Sequence, residues 1–507
     1  MRSIYARIAG LMRSRDQRGG SRRARPGLEA IESRLCLSAA AWQMYNSDPT
    51  GSRLNPTETT LNIKNVNQLG VQWQYATEAP VAGTPAVVHR SVYAGDMKGN
   101  FYALDRAGNL QWKVNVGHAI TDSAIMTQNT VIFGDLDGNI YGLNAKTGTT
   151  KWTIHPNNSS QKVSIWSSGT LVGKNVAFGV ASLEEDTSDP NYKFTNRGSA
   201  LLLNPANGKV LWQTYTITPE QNAAGWSGAS IWASPTYDAS TNTMYVATGN
   251  SFSQPVAGAT GPGLADPGTS DAVIALNATT GAIKWKNELT KGDIWNGSIV
   301  PSPTNPDADL GDSPQVYKLA NGTKVIGVGQ KSGVFYVLNA KTGAAINSVQ
   351  LEVGGVEGGL FSDTGVDQKA GRSVANGINW PGILEGKPPV GGNLYVTSLD
   401  GKQLFYDFKT AAPNSSGVAI ANGVIYFSSD DGTLYALNER AKSADTALLA
   451  KIKTGSNYSG PAVSRGHVYV GGGDAQLFLE GETGTTGSIT GLGLGSTARA
   501  KAARRVR

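Results

Sequence analysis

The sequence predicts an all-β fold: an eight-bladed β-propeller of four-stranded antiparallel blades, closed by an N-terminal strand. The first observation is internal repetition, since the segment from Val92 to Trp112, VYAGDMKGNFYALDRAGNLQW, resembles the segment from Val131 to Trp152, VIFGDLDGNIYGLNAKTGTTKW. The second is the period, because Trp73, Trp112 and Trp152 lie 39 and 40 residues apart, as in propellers and other repeat arrays. The third is composition: 63 glycines and 16% charged residues suit short strands joined by tight turns.

Each repeat contains its strands in a fixed order. In the first repeat VYAGD is a strand, Lys-Gly makes a tight turn because glycine accepts a positive φ, and NFYALD is the next strand. The Trp strand follows a second turn, and its indole ring can fill the gap between neighbouring sheets. Four such strands form one blade around the axis. Eight units begin near Pro85, Ser123, Gly169, Ser234, Ser313, Pro381, Ser416 and Pro461.

The two ends of the chain close the ring. The eighth unit stops after LFLEG without a Trp strand, whereas the segment from Leu69 to Tyr75, LGVQWQY, has no preceding strands of its own. We therefore expect this segment to complete the last blade. The propeller then occupies residues 42–481, between an Arg-rich targeting or disordered segment at 1–41 and a disordered basic tail at 482–507.

Charge and apolar patterning exclude several classes of protein. Nine arginines lie in residues 1–41 and five positive charges lie in the last eleven residues. The basic charge therefore belongs to the ends, and we expect no nucleic-acid partner. The chain has no window of about 18 apolar residues, which predicts no membrane span. Cys36 is the one cysteine, and no C-x-x-C-H haem attachment site exists.

Three of the eight units depart from the regular turn between their second and third strands. Most units have a short Asp-Gly turn there. The third unit has SLEEDTSDPNYKFTNRG, the fourth has TGNSFSQPVAGATGPGLADPGTS and the fifth has GQKSG. These segments contain Glu184, Asn250 and Lys331. Loops on one rim of a rigid scaffold are where function concentrates.

Further candidates lie in the connections between blades. Trp232 immediately precedes the fourth unit, Asp293 follows the Trp strand of that unit, and Asn379 and Trp380 precede the sixth unit near Pro381. In a propeller these connections share a face with the turns between second and third strands. All seven candidate residues therefore map to one face of the ring.

The candidate side chains suit a metal and a planar cofactor. Glu184, Asn250 and Asp293 offer hard oxygen ligands, the kind that calcium prefers. Trp232 offers a flat apolar face, and Lys331 offers a positively charged donor. The alternatives remain open that the acids are solvated loop residues, that Asn250 is a turn residue, and that Trp232 packs between blades.

These motifs resemble those of a known family. ALNATTGAIKW resembles the repeat of the pyrroloquinoline-quinone (PQQ) propellers, and units three to five resemble the polyvinyl-alcohol-dehydrogenase branch of the quinoprotein alcohol dehydrogenases in ASLEED, YVATGNSFSQP, GDIWN and GQKSGVFYVLN. The resemblance implies calcium ligands, a catalytic aspartate and quinone contacts. The implied ligands are Glu184, Asn250 and Asp293, the implied catalytic residue is Asp293, and the implied quinone contacts are Trp232, Lys331, Asn379 and Trp380.

The resemblance implies PQQ- and calcium-dependent oxidation of an alcohol, small or polymeric. Because the chain has no haem motif, electrons would pass to a separate acceptor such as a cytochrome c. Some relatives carry adjacent cysteines near the quinone, and the body of this chain has none. The alternative is a non-catalytic PQQ-like propeller that acts as an extracytoplasmic binding or scaffold protein.

The N-terminal segment suggests export. LEAIESRLCLSAA resembles a motif of exported planctomycete proteins, which implies a periplasmic or cell-surface location. The segment lacks the apolar stretch of an ordinary secretory signal, so an unusual cytoplasmic tail is the alternative.

Overall fold

The computed structural model describes residues 41–156, 162–380, 387, 389–455, 458–475 and 485–495. Eight four-stranded antiparallel sheets account for nearly all of the regular structure. The first strand of the first blade contacts those of the second and the eighth blades, and first strands from the third blade to the eighth contact one another in succession, which closes the ring. The predicted eight-bladed propeller is therefore confirmed. Within the described ranges, no helix has both the length and the apolar character to cross a membrane. The predicted N-terminal targeting segment lies outside these ranges.

Within each blade the four strands run in chain order from the axis outwards, except in the eighth, whose outermost strand comes from the N-terminal side. The first strands are Ala86–Val88, Ile125–Thr127, Thr170–Val172, Thr236–Asp238, Gln315–Lys318, Gly365–Asp367, Ala419–Ala421 and Ala462–Ser464. The second strands are Ser91–Gly95, Thr130–Gly134, Asn175–Val180, Thr243–Ala247, Lys324–Gly329, Arg372–Asn379, Val424–Ser429 and His467–Gly472. The third strands are Asn100–Asp105, Ile140–Asn144, Ser199–Leu203, Ala272–Asn277, Val334–Asn339, Gly391–Thr397, Thr433–Asn438 and Gly487–Leu494. The fourth strands are Leu110–Asn115, Thr150–Ile154, Val210–Tyr215, Ile283–Glu288, Ala345–Gln350, Leu404–Thr410, Leu448–Lys453 and Leu69–Thr77.

Short elements lie outside this pattern. A helix, Pro219–Ala224, follows the third blade and begins with a capping box on Thr218. Three 3₁₀ turns are Val66–Gln68, Glu184–Asp186 and Ala444–Thr446, and three two- or three-residue strands are Leu54–Asn55, Ser227–Gly228 and Ser251–Ser253.

The last blade joins the two ends of the chain as predicted. Leu69–Thr77 pairs antiparallel with Gly487–Leu494. The predicted domain end at 481 is wrong, however, because this third strand lies beyond it, within the predicted tail. Its glycines gave it the composition of a linker, but Trp73 lies directly against Gly491, where a Cβ would collide with the indole ring. The LFLEG segment lies outside the described residues.

The sixth blade also begins earlier than the repeat predicted. Its first strand is Gly365–Asp367, not a segment near Pro381. Both markers of the repeat are missing here: the fourth strand before this blade, Ala345–Gln350, has no Trp, and no short Asp-Gly turn follows the second strand. As a result Asn379 ends the second strand and Trp380 begins the following loop, instead of preceding the blade. The second strand ends at Asn379 on the predicted face, so both residues lie on the side of the ring that the sequence predicted.

Tryptophans of the fourth strands join neighbouring blades, as the sequence predicted. Trp112 lies against Gly148 of the next blade, and its Nε1–H donates to the Ala145 carbonyl at 3.1 Å. Each such indole adds a hydrogen bond to the apolar contact. The same arrangement is formed by Trp73, Trp152, Trp212 and Trp285.

Residues 42–55 line the inner edges of the ring. Trp42 pairs with Val87 of the first blade, and Leu54–Asn55 pairs parallel with the seventh blade. Between them, backbone carbonyls of the segment accept N–H groups from the first strands of blades two, four, five, six and seven. The carbonyls belong to Gln43, Pro49, Thr50, Ser52 and Arg53, and the N–H groups that they accept belong, in the same order, to Met126, Tyr237, Val316, Val366 and Ile420. The segment therefore satisfies inner strand edges that would otherwise lack partners.

Candidate functional site

The irregular loops lie where the sequence placed them. The loops containing Glu184, Asn250 and Lys331 join second to third strands in blades three, four and five, and Trp232 and Asp293 lie in the connections before and after the fourth blade. We call this side of the ring the site face.

An acidic cluster forms at the centre of these loops. Carboxylate oxygens of Glu185, Asp307 and Asp309 lie within 4.8 Å of one another. The Lys331 ammonium lies 3.0 Å from both Asp307 oxygens and 3.3 Å from an Asp309 oxygen. We call these four residues the acid cluster. Three carboxyl groups therefore face one another around a single ammonium.

Burial controls the ionisation of the cluster. Desolvation raises the pKa of Glu185 and of Asp307, and the neighbouring carboxylates raise both further, while the Lys331 charge opposes the rise. Burial by itself would lower the pKa of Lys331, but Asp307 and Asp309 outweigh it and hold that pKa well above its usual value. The lysine is therefore charged, and a further cation would favour full ionisation of the acids.

Asn250 completes the oxygen-rich centre. Its backbone N–H donates to Asp309 Oδ1 at 2.7 Å, and its side-chain Nδ2 donates to the Trp295 carbonyl at 2.5 Å. Its amide oxygen Oδ1 and the Glu185 Oε1 are both buried and accept no hydrogen bond from the described chain. Buried oxygens normally have a partner, and hard oxygens of this kind fit a calcium ion.

Trp232 lies beside the acid cluster. Its ring is 6.4 Å from that of Phe361, and the Lys331 ammonium is 5.8 Å from its centroid. Unlike the packing tryptophans, it belongs to a connection on the site face and not to a fourth strand. Trp232 and Lys331 are thus brought together, as expected for a site that holds a planar anionic molecule.

Asp293 lies next to the acid cluster but is held by the backbone. Its Oδ1 accepts the Trp295 N–H at 3.1 Å, and its Oδ2 accepts the N–H of Ala308 at 2.9 Å. Ala308 stands between the two aspartates of the cluster. Burial raises the pKa of Asp293, and these two N–H groups oppose the rise. Asp293 therefore shapes the segment that presents Asp307 and Asp309.

Glu184 is engaged by its own loop. Its carboxylate accepts the backbone N–H groups of Thr195 at 2.9 Å and Asn196 at 2.8 Å and the Thr195 hydroxyl at 2.8 Å. Glu185 faces the acid cluster instead. Successive residues of a 3₁₀ turn point about 120° apart, so adjacent glutamates of Glu184–Asp186 reach different surroundings.

Asn379 and Trp380 lie near the loop of Lys331. The Lys331 carbonyl accepts the Gly355 N–H at 3.1 Å, and Gly355 approaches the Trp380 carbonyl. The Trp380 indole donates to the Lys387 carbonyl at 2.6 Å. Their roles as quinone contacts stay predictions, as do those of the other proposed site residues.

The sequence did not predict Asp307 or Asp309 as site residues, and it favoured Glu184 over its neighbour Glu185. A signal was present: PDADLGD carries alternating acids in the same connection as GDIWN. Both segments follow the fourth blade.

Comparisons with known proteins agree with the resemblance seen in the motifs. A family model described as outer membrane protein assembly factor BamB matches residues 62–262. The chain is 24% identical over 497 residues to a polyvinylalcohol dehydrogenase of Sphingopyxis sp. (strain 113P3), covering 86% of this chain and 73% of that one. It is 28% identical over 355 residues to a polyvinylalcohol dehydrogenase of Pseudomonas sp, covering 64% of this chain and 53% of that one.

A solved structure shows the same fold. The quinohemoprotein alcohol dehydrogenase of Comamonas testosteroni superposes with a TM-score of 0.71 at 18% identity, covering 92% of this chain and 82% of that one. The predicted resemblance to quinoprotein alcohol dehydrogenases is confirmed, and the named relatives support an oxidoreductase.

Proposed function

We propose that this chain oxidises an alcohol with PQQ and calcium held on the site face, outside the cytoplasm, and passes the electrons to a separate acceptor such as a cytochrome c. The observation that carries the proposal is the acid cluster of Glu185, Asp307, Asp309 and Lys331 beside Trp232. The dehydrogenase relatives support it. When bound, PQQ would supply the two-electron acceptor, and calcium would polarise it as a Lewis acid.

The residues present fit a calcium ion. Glu185, Asp307 and Asp309 supply carboxylates, and the unpartnered amide oxygen of Asn250 is adjacent because the Asn250 backbone bonds Asp309. The geometry favours Glu185 over Glu184 as a ligand, because Glu184 already accepts three close hydrogen bonds.

Trp232 and Lys331 would hold the quinone. The indole offers a stacking face, and the ammonium would donate to carbonyl or carboxylate oxygens. Asn379 and Trp380 remain proposed contacts from the neighbouring loop.

The geometry favours Asp307 as the base that takes the alcohol proton, in place of the predicted Asp293. Both Asp293 oxygens accept backbone N–H groups, which are fixed in place. Both Asp307 oxygens accept hydrogen bonds from the Lys331 side chain, which is free to turn towards a bound quinone. Asp307 also has a φ of 57°, a strained conformation for a non-glycine residue, and such strain concentrates at functional sites.

Reconstitution with PQQ and calcium, followed by a dye-linked alcohol oxidation assay, tests the proposal. At saturating calcium, which offsets the loss of one proposed ligand, Asp307→Asn should bind PQQ and lose about 10²–10⁴-fold in turnover, the usual contribution of a general base. Asp293→Asn is the matched variant and should retain turnover in the folded protein. The reverse pattern would return the catalytic role to Asp293.

The match to the BamB family model supports a second candidate, a non-catalytic binding or scaffold propeller. A ligand that binds the folded state raises the melting temperature. If saturating PQQ and calcium cause neither a thermal shift nor turnover, the scaffold function replaces the enzymatic one.

A further inference from the structure

A cleft of about 740 Å³ opens on the face of the ring opposite to the site face. Its walls come from residues between 54 and 64, from the turn between the first and second strands of the sixth blade, and from two turns of the seventh blade. Turns between first and second strands and between third and fourth strands lie away from the acid cluster. The walls include none of the residues assigned to alcohol oxidation, so the cleft is a separate place for a ligand.

Glu439 is the most deeply buried acid without a partner in this cleft. The residue is 1% exposed, and its Oε1 and Oε2 atoms accept no hydrogen bond from the described chain. Its backbone N–H donates to the Gly423 carbonyl at 3.0 Å, which holds the residue in the wall. Buried polar atoms normally have a partner, and a buried carboxylate without one is costly. Glu439 is therefore suited to a ligand that donates hydrogen bonds.

The other two acids of the cleft already have partners. Glu58 accepts backbone N–H groups with both of its carboxylate oxygens, and Asp367 accepts that of Ala370 at 2.8 Å. A calcium ion would gather several oxygen ligands, whereas an ammonium group can donate to a single carboxylate. This difference favours an ammonium group at Glu439.

Positively charged side chains surround the mouth of the cleft. Lys64, Lys369 and Arg440 line it and are exposed. Arg440 directly follows the buried Glu439, so places for opposite charges lie side by side. We propose that the cleft binds a small zwitterionic amino acid, whose ammonium donates to Glu439 and whose carboxylate faces the three basic side chains.

The ionisation of Glu439 supports this assignment. Burial raises the pKa of its carboxyl to about 7. The Asp367 carboxylate adds to the rise, and the Arg440 and Arg372 charges oppose it. A bound ammonium favours the ionised form, so affinity should fall about tenfold from pH 8 to pH 6, as the ionised fraction falls. The remaining charged or titratable groups around Glu439 are Glu58 and Lys64 from the N-terminal side and Lys369 and Tyr406 from the sixth blade.

Calorimetric titration of the full chain tests the assignment with three probes. 4-Aminobutanoate carries both charges, whereas n-butylamine and butyrate carry one each. At pH 8 the chain should bind 4-aminobutanoate at least about tenfold more tightly than either of the others, because only this probe meets both ends of the cleft. No binding, or equal affinity for the three probes, would overturn the inference.

Substitutions locate the binding. Glu439→Gln keeps the shape of the side chain and removes its charge, so it should weaken 4-aminobutanoate binding about tenfold or more and abolish the dependence on pH. Asp445→Asn is the matched control, because Asp445 is exposed in the same connection and does not line the cleft. It should stay within about twofold of the parent.

The rim has its own test. Arg440→Gln should weaken binding of 4-aminobutanoate and leave that of n-butylamine unchanged. Equal affinity of Glu439→Gln and Asp445→Asn, or an equal loss of both probes in Arg440→Gln, would contradict the assignment. These measurements need no turnover, so they decide the cleft independently of the proposed function.

Discussion

Acidic residues in two sets of turns on the site face have opposite kinds of partner. In the first blade, Asp96 is buried and accepts the N–H groups of Lys98 and Asn100 and the Tyr102 hydroxyl. Asp135 of the second blade repeats this pattern with its own turn. Each of these acids is satisfied by donors from its own blade.

The loops of blades three to five present acids to one another instead. Glu185, Asp307 and Asp309 come from two different connections, and the two aspartates share the Lys331 ammonium. An acid that is bonded within its own turn stabilises that turn, whereas acids that gather from separate loops retain capacity for a ligand. This difference between regular turns and irregular loops indicates that the functional site lies in the loops that depart from the repeat.

Lys331 gives the largest expected effect. Lys331→Met leaves buried carboxylates without their cation, so the metal-free protein should lose about 3 kcal/mol of unfolding free energy, and calcium should restore part of it. Lys98→Met, at the matching turn position of the first blade, should change stability by less than about 0.5 kcal/mol. Chemical denaturation with and without calcium measures both. Equal stability of the two variants would contradict charge compensation by Lys331.

The pH dependence of stability tests the comparison at Asp430, which lies in a regular turn of the seventh blade. Burial raises the pKa of Asp430 to about 6, and the Ser415 hydroxyl and N–H oppose the rise. The folded state then holds a proton that the unfolded state has lost, so its contribution to stability falls as pH rises from about 4 to about 6. Across that window the parent should lose about 2–3 kcal/mol more than Asp430→Asn. Parallel slopes in denaturation series at pH 4, 5, 6 and 7 would contradict the raised pKa.

The adjacent glutamates give the smallest and most local test. Glu185→Gln should weaken calcium binding by about tenfold, because it removes a charged ligand. Glu184→Gln should keep calcium affinity within about twofold and lower the melting temperature, because its carboxylate holds Thr195 and Asn196. Calorimetric calcium titration decides between them, and the opposite pattern would give the metal role to Glu184.

The repeat and its closure were readable from the sequence. A blade is built from neighbouring segments, so its turns and its Trp strands leave a local pattern that recurs along the chain. Pairing of Leu69–Thr77 with the last blade also followed, because one end lacked a strand that the other end supplied. The exceptions were Gly365–Asp367, whose blade lacks both the preceding Trp and the regular Asp-Gly turn, and Gly487–Leu494, whose glycines make room for Trp73.

The sequence by itself determined the fold, the face and the loops that leave the repeat, because all three depend on periodic local order. Tertiary structure decided which acids meet. Glu184 and Glu185 are neighbours of the same type, and Asp293 and Asp307 lie in the same connection, so no local pattern separates their roles. Their directions depend on a 3₁₀ turn and on N–H groups donated by Trp295 and Ala308. The meeting of Glu185 with Asp307 and Asp309, in contrast, exists once loops from different blades pack together.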